Sequence, residues 1–376
     1  MQNKLVSLQD IKVKFDDDVI LKGISLDIYD KEFVTLLGPS GCGKTTTLRI
    51  IGGFVTPDSG KVIYGGAEIN NLPPHKRPFN TVFQKYALFP HLDVYENIAF
   101  GLRIKKLSEK QIKAKVTEML ELVSLKGFAK RNINSLSGGQ QQRVAIARSL
   151  AIDPKVLLLD EPLGALDLKL RKDMQIELKK IQQQAGITFL YVTHDQEEAL
   201  SMSDKVVVMD NGIIQQIGTP QDIYNEPKNA FVADFIGESN ILDAVMKDDY
   251  IASLSGYDFK CLDSGYAKNE LVDAVIRPED VDVVPASEGM IAGVVTSVVF
   301  KGVYFEIIID INGFKWMIQT TDYQPVGAMI GISIEPDAIH IMKKSVYSGV
   351  FGDYSSFSDE VDNPDLEVSD EVEPNL

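Results

Sequence analysis

Apolar and polar residues alternate from Leu5 to Phe15 and again from Ile24 to Ile28. Period-two alternation marks half-buried strands, so this lead-in is expected to form an antiparallel pair. Phe33 to Leu37 is a short apolar run between turn residues, and Thr46 to Ile51 reads as a helix. Pro57-Asp58-Ser59-Gly60 is a turn, followed by a strand at Val62–Tyr64. Thr81-Val82-Phe83-Gln84 reads as a strand that ends in a polar residue. From Ser108 to Ser124 the period becomes helical. Ile112, Val116, Met119, Leu120 and Val123 share one face, behind a capping box of Ser108 and Gln111. Gln141 to Leu150 is a further helix. Val156–Leu159 followed by Asp160-Glu161 is the pattern of a central strand buried on both faces. A helix over Leu168–Ala185 turns Leu170, Met174, Leu178 and Ile181 inward and stops at Gly186. Thr188–Val192 and Val206–Met209 are strands, with a helix through Glu197–Met202 between them. Strands alternating with helices predict an α/β fold with a mostly parallel sheet.

After Gly237 the helical periods disappear. Short alternating runs recur at Ala274–Arg277, Val294–Phe300, Tyr304–Ile311, Phe314–Thr320 and Ile330–Ile334. Asn312-Gly313 is a hairpin turn between two of them. These runs predict a small all-β, barrel-like domain over residues 241–345. Residues 1–240 are the first domain, with a helical subdomain at about 86–155. Residues 346–376 are an acidic tail whose composition predicts disorder.

Composition narrows the function. A chain of 376 residues suggests two domains, and 44% hydrophobic residues support real cores. No apolar run approaches the ~18–20 residues of a membrane span. Met1 to Lys4 leads straight into strand-like sequence, so no signal peptide is expected. Cys42 and Cys261 are too few for a disulfide framework and suit a reducing compartment. The net charge of −16 argues against nucleic acid as the main partner. More than half of it lies in the tail, where Asp353 to Glu373 holds nine acidic residues and no Lys or Arg.

The chemistry centres on Gly38-Pro39-Ser40-Gly41-Cys42-Gly43-Lys44-Thr45-Thr46. This is G-x-x-x-x-G-K-[ST] between a strand and a helix, a phosphate-binding loop. Its glycines let several N–H groups face one phosphate, and the helix start adds positive potential. Lys44 can reach the β- and γ-phosphates of ATP, and the Thr45 hydroxyl can bind Mg²⁺. Asp160, after a buried strand, can hold Mg²⁺ opposite Thr45, and Glu161 can polarise the attacking water. Leu136-Ser137-Gly138-Gly139-Gln140 opens a helix that Ser137 can cap. Alone it is an ordinary helix start; beside a phosphate loop it is a second anion site, which suggests that two chains share each nucleotide. Gln84 can touch Mg²⁺ and water, and His194 can hold the γ-phosphate. Phe15 either stacks on adenine or is a core aromatic at a strand end. Cys42, next to a helix start, is expected to be acidified and reactive.

Taken in order, these motifs, with Leu157-Leu158-Leu159-Asp160-Glu161-Pro162, Ala165-Leu166-Asp167 and Thr193-His194-Asp195, resemble an ABC-transporter ATPase over about Leu5 to Gly237. The resemblance implies an ATP-driven, head-to-tail homodimer. In it the phosphate loop of one subunit and Ser137–Gln140 of the other enclose each ATP. It further implies two membrane permease subunits, an extracytoplasmic solute-binding protein reached through them, and a place on the cytoplasmic face of the cell membrane. By position it gives Lys44 and Thr45 phosphate and Mg²⁺, Asp160 the rest of the metal shell, Glu161 the general base, His194 the γ-phosphate and Phe15 the adenine. Two departures stand out: Phe15 where Tyr is frequent, and Gly164 where a small hydroxyl residue is usual. The β domain, with Arg277-Pro278-Glu279-Asp280, is similar to the OB-like regulatory domain of importer ATPases. Asn80 to His91 and Lys169 to Gln175 are similar to spermidine/putrescine importer ATPases in particular. Importers of sugars, iron or sulfate share much of this pattern, and soluble ABC ATPases remain the other alternative.

Overall fold

The alternation of the first thirty residues becomes two long strands, β1 (Lys4–Phe15) and β2 (Asp18–Tyr29), paired antiparallel. The computed structural model describes residues 3–164 and 166–354. They fall into two units, divided between Ile223 and Tyr224. The acidic residues beyond 354 and Ala165 of the Ala165-Leu166-Asp167 motif lie outside the described residues.

In the first unit, β3 (Phe33–Leu37) leads through the phosphate loop into α1 (Lys44–Gly52). β4 (Ser59–Tyr64) and β5 (Ala67–Glu68) return to the first hairpin, giving an antiparallel sheet in the order β2-β1-β4-β5. β6 (Phe79–Val82) follows, then three helices: α2 (Val94–Ile104), α3 (Glu109–Leu122) and α4 (Gly138–Ala151). β7 (Val156–Asp160), α5 (Leu168–Ala185), β8 (Thr188–Thr193), α6 (Gln196–Met202), β9 (Lys205–Asp210) and β10 (Ile213–Gly218) complete the unit. The second sheet runs β10-β9-β3-β8-β7-β6, parallel except for the edge strand β10.

Alternate residues of β7 face two different cores, the signature of a strand covered on both sides. Leu157 and Leu159 join Phe33, Phe189 and Tyr191 against α2 to α5. Val156 and Leu158 join Val34, Leu36, α1 and the antiparallel sheet. The capping box of Ser108 with Gln111 is present, and Ile112, Val116, Met119, Leu120 and Val123 are buried. Gly186 ends α5 at φ 62°.

The second unit begins in α7 (Pro220–Asn225) and continues through α8 (Ala230–Phe235), two short helices that the periodicity did not announce. It contains two five-stranded antiparallel sheets. One runs β13 (Tyr257–Lys260), β12 (Ile251–Leu254), β11 (Asn240–Asp248), β14 (Glu270–Ile276) and β20 (His340–Lys343). The other runs β15 (Val281–Pro285), β19 (Met329–Ile334), β16 (Ile291–Phe300), β17 (Phe305–Ile311) and β18 (Phe314–Thr320). Leu242, Ala274 and Ile341 of the first sheet share one core with Ile307, Trp316 and Ile332 of the second. Asn312 and Gly313 turn the β17–β18 hairpin at φ 56° and 88°, the left-handed pair that such a turn requires.

Two expected boundaries move. Residues 224–240, placed with the first domain on sequence, fold with the β unit. The buried Arg277 guanidinium holds them there, donating to the carbonyls of Tyr224, Ala233, Gly237 and Glu238. The start of the acidic tail folds as well. Tyr347 and Phe351 pack against Ile241, Val275 and Met342. The Tyr354 hydroxyl accepts from Ser239 N at 3.0 Å, and Tyr354 N donates to the Lys315 carbonyl.

Candidate functional site

The glycines set the shape of the phosphate loop. A Cβ at Gly38 would sit 2.2 Å from the Met209 carbonyl oxygen, so only glycine fits where β3 passes β9. Gly41 and Gly43 adopt φ of 82° and 103°. Space is open around a Cβ at Gly41. Gly43 caps α1 without a side chain over the helix end, so its first N–H groups are left for an anion. Lys44 is buried and donates from Nζ to the carbonyls of Gly38 and Pro39, each at 2.7 Å. The Thr45 hydroxyl donates to Asp160 Oδ1 at 2.8 Å. Burial pushes the Asp160 carboxyl above its ordinary range, against the pull of that hydrogen bond.

A hydroxyl beside a carboxylate is a pair of hard oxygen donors, the set that suits Mg²⁺. Among the described residues no three His, Cys, Asp or Glu side chains converge on a metal cage.

Glu161 follows directly, in left-handed backbone at φ 44°, a conformation that carries a cost for a non-glycine residue. Gln84 Nε2 donates to Glu161 Oε2 at 3.3 Å, and His194 Nδ1 lies 3.6 Å from Glu161 Oε1. These three residues come from separate loops at the carboxyl ends of parallel strands, where open α/β sheets present ligand sites. Gln84 does not end a strand as expected. β6 stops at Val82, and Phe83 leaves the sheet to meet Phe54 edge-on.

Sequence reading missed what holds the His194 turn. Glu198, 3% exposed, accepts from the Tyr191 hydroxyl at 2.7 Å and the Thr193 hydroxyl at 2.6 Å. Asp195 caps α6 and pairs with Arg171, which also donates to the Leu166 carbonyl. Asp195 followed three residues later by Glu198 was the available signal, a cap pattern at the helix start.

Ser137 caps α4 and forms a complete capping box with Gln140. Gly138 and Gly139 lie against Leu166 and Leu170, where a Cβ would come within 3.1 and 3.2 Å. Among the described residues, no hydrogen bond or ion pair joins Ser137–Gln140 to Gly38–Thr46 of the same chain. Phe15 is 49% exposed at the hairpin end rather than part of a core. Leu21 of that hairpin abuts Gly43. Cys42 departs from expectation. It is buried, and burial pushes its thiol up instead of acidifying it.

Among the described residues no helix is long and apolar enough to cross a membrane. The ABC transporter family profile matches residues 21–164, and the TOBE domain profile matches residues 274–342. The chain is 61% identical over 344 residues to the spermidine/putrescine import ATP-binding protein PotA of Clostridioides difficile strain 630, covering 92% of this chain and 99% of that protein. The protein of the same name from Desulfitobacterium hafniense strain Y51 matches with the same identity and coverage. Among solved structures, cbiO1 from Clostridium perfringens, part of the ABC transporter complex cbiONQ, superposes with a TM-score of 0.56 at 30% identity. It covers 59% of this chain and 91% of its own. The phosphate loop, the Asp160-Glu161 strand end and the Ser137 helix start thus sit in a chain that belongs to the ABC-transporter ATPase family.

Proposed function

We propose that this protein is the ATP-hydrolysing subunit of an importer for polyamines such as spermidine and putrescine. It works as a homodimer on the cytoplasmic face of the cell membrane, with two permease subunits and, through them, a solute-binding protein. The first unit hydrolyses ATP, and the β unit regulates. The observation that carries the hydrolytic reading is the meeting of Gln84, Glu161 and His194 beside the Thr45–Asp160 pair. Identity of 61% with polyamine import proteins over nearly the whole chain supports the cargo.

Lys44 exchanges the Gly38 and Pro39 carbonyls for the β- and γ-phosphates. Thr45 and Asp160, with Gln84 at hand, would hold Mg²⁺, which would neutralise phosphate charge. Glu161 takes the proton of the attacking water, with Gln84 fixing its carboxylate. His194 donates to the γ-phosphate, and Phe15 stacks on adenine. Gly41, Cys42, Gly43 and Thr46 line the phosphates with backbone N–H groups. Ser137, Gly138, Gly139 and Gln140 close the site from the partner subunit. Tyr86 to Pro90, in the loop beyond β6, receives a short helix of the permease, with Leu88 and Phe89 as its contacts.

Sharing between chains is tested by a mixed dimer of Lys44→Ala and Ser137→Arg chains, all carrying Glu161→Gln to hold bound ATP. One of its two sites combines both intact halves, so about one ATP should be occluded per dimer, while either mutant alone occludes little. No occlusion by the mixed dimer, when the Glu161→Gln dimer does occlude ATP, refutes the shared site.

A further inference from the structure

The loop after Gln84 carries the sharpest backbone anomaly of the first unit. Tyr86 and Ala87 are consecutive non-glycine residues at φ 59° and 48°. Each costs on the order of 1 kcal/mol or more, and two in a row need a constraint from outside the loop. Tyr86 is buried, and among the described residues its hydroxyl has no hydrogen-bond partner. That is a second unfavourable feature in the same residue.

The constraint is Arg148, in the last turn of α4. Its Nη1 donates to the Ala87 carbonyl at 2.8 Å and its Nη2 to the Tyr86 carbonyl at 3.0 Å. The guanidinium also lies 5.4 Å from the centre of the Phe89 ring. Burial pulls the Arg148 pKa down, a cost of holding its charge that these contacts help to offset. A planar guanidinium bonds the two carbonyls from two separate nitrogens and keeps a face toward the Phe89 ring, an arrangement that a single ammonium nitrogen does not reproduce. The opposite end of α4 is Ser137–Gln140, eleven residues away, or about 16 Å along a rigid helix.

We propose that Arg148 is a positioning residue that clamps the strained Tyr86–Ala87 loop to α4, so that the Gln84 loop and the Ser137 helix start move as one body. The coupling rests on the ATPase reading above; the clamp itself does not. When a membrane partner shifts the loop, the clamp carries that shift to the helix start that closes the site.

The test is amide hydrogen exchange on the full chain, wild type against Arg148→Lys, with melting temperature, nucleotide affinity and ATP turnover measured on the same samples. The Tyr86 and Ala87 amides are hydrogen-bonded to Phe83 and Lys85, so they start protected. The clamp is supported by at least tenfold faster exchange confined to residues 85–89 and by turnover that falls about tenfold at unchanged nucleotide affinity. Exchange at 85–89 within twofold of wild type overturns it. Acceleration spread through α4 also overturns it, because that marks a packing role. If Arg148→Lys does not fold, Ala87→Gly is added to remove the strain at φ 48°. The clamp reading expects the pair to fold, and failure of the pair as well overturns it. A wild-type chain that hydrolyses no ATP would refute the proposed function and leave the exchange result to decide the clamp alone.

Discussion

Replacing Glu161 with Gln separates chemistry from binding and from folding. The side chains are nearly isosteric, and Gln can still accept from Gln84 Nε2, now 3.3 Å from Glu161 Oε2. What is lost is the charge and the ability to take a proton. The partner most affected is His194, at 3.6 Å, but its side chain is 58% exposed, and such pairs contribute less than about 1 kcal/mol. Stability should therefore change by no more than about 0.5 kcal/mol, a shift of about 1–2 °C in melting temperature for a unit of this size. Lys44, Thr45 and Asp160 keep their contacts, so nucleotide affinity should hold within about threefold, on the order of 0.6 kcal/mol. Turnover should fall about 10²–10⁴-fold, the usual range for a general base, equivalent to about 2.7–5.4 kcal/mol of barrier. Phosphate release at saturating Mg-ATP gives the rate, and equilibrium nucleotide binding gives the affinity. Turnover within about fivefold of wild type, with affinity intact, would remove Glu161 from the chemistry.

Asp160→Asn gives a pH-dependent contrast. Burial raises the Asp160 carboxyl in the folded chain, so the fold holds its proton more tightly than the unfolded chain does. Stability then falls as pH rises from the ordinary carboxylate value through the raised one, and stays lower above it. The variant should melt at a higher temperature than wild type at neutral pH, with a flatter acid-side profile and no Mg-dependent turnover; a lower melting temperature at neutral pH contradicts this. Two truncations divide the tail. A stop after Tyr354 should leave melting and turnover near wild type. A stop after Ser345 removes Tyr347, Phe351 and the Tyr354–Ser239 hydrogen bonds and should destabilise the β unit by about 2–4 kcal/mol; equal melting of the two truncations would count against the packing described.

The helical and buried-strand elements were legible because several local signals agreed. Ser108 with Gln111 marked a start, Gly186 marked a stop, and five apolar positions fixed the inward face of α3. Val156 to Asp160 showed itself by an unbroken apolar run ending in acid. Most of the missed strands are short or lie at sheet edges; β11, nine residues long and internal to its sheet, is the exception. β12 and β13 have four residues each, too few for a period to emerge. α8 has six residues, under two turns. Val346 to Tyr354 was absorbed into an acidic average although it contains Tyr347, Phe351 and Tyr354, whose partners Ile241 and Ser239 are a hundred residues away. In the site, motif residues were found by type and spacing. Arg148, Arg171 and Glu198 were not, because their roles come from contacts with carbonyls and turns that no spacing encodes.

The most direct measurement is ATP-driven uptake of labelled spermidine into proteoliposomes that hold this chain with the proposed permease subunits and solute-binding protein. Accumulation that requires Mg-ATP on the side of this chain, and that stops when Glu161→Gln replaces the wild type, is the expected result. A wild-type assembly that hydrolyses ATP but moves neither spermidine nor putrescine, or a chain that hydrolyses ATP and associates with no membrane subunit, would contradict the account.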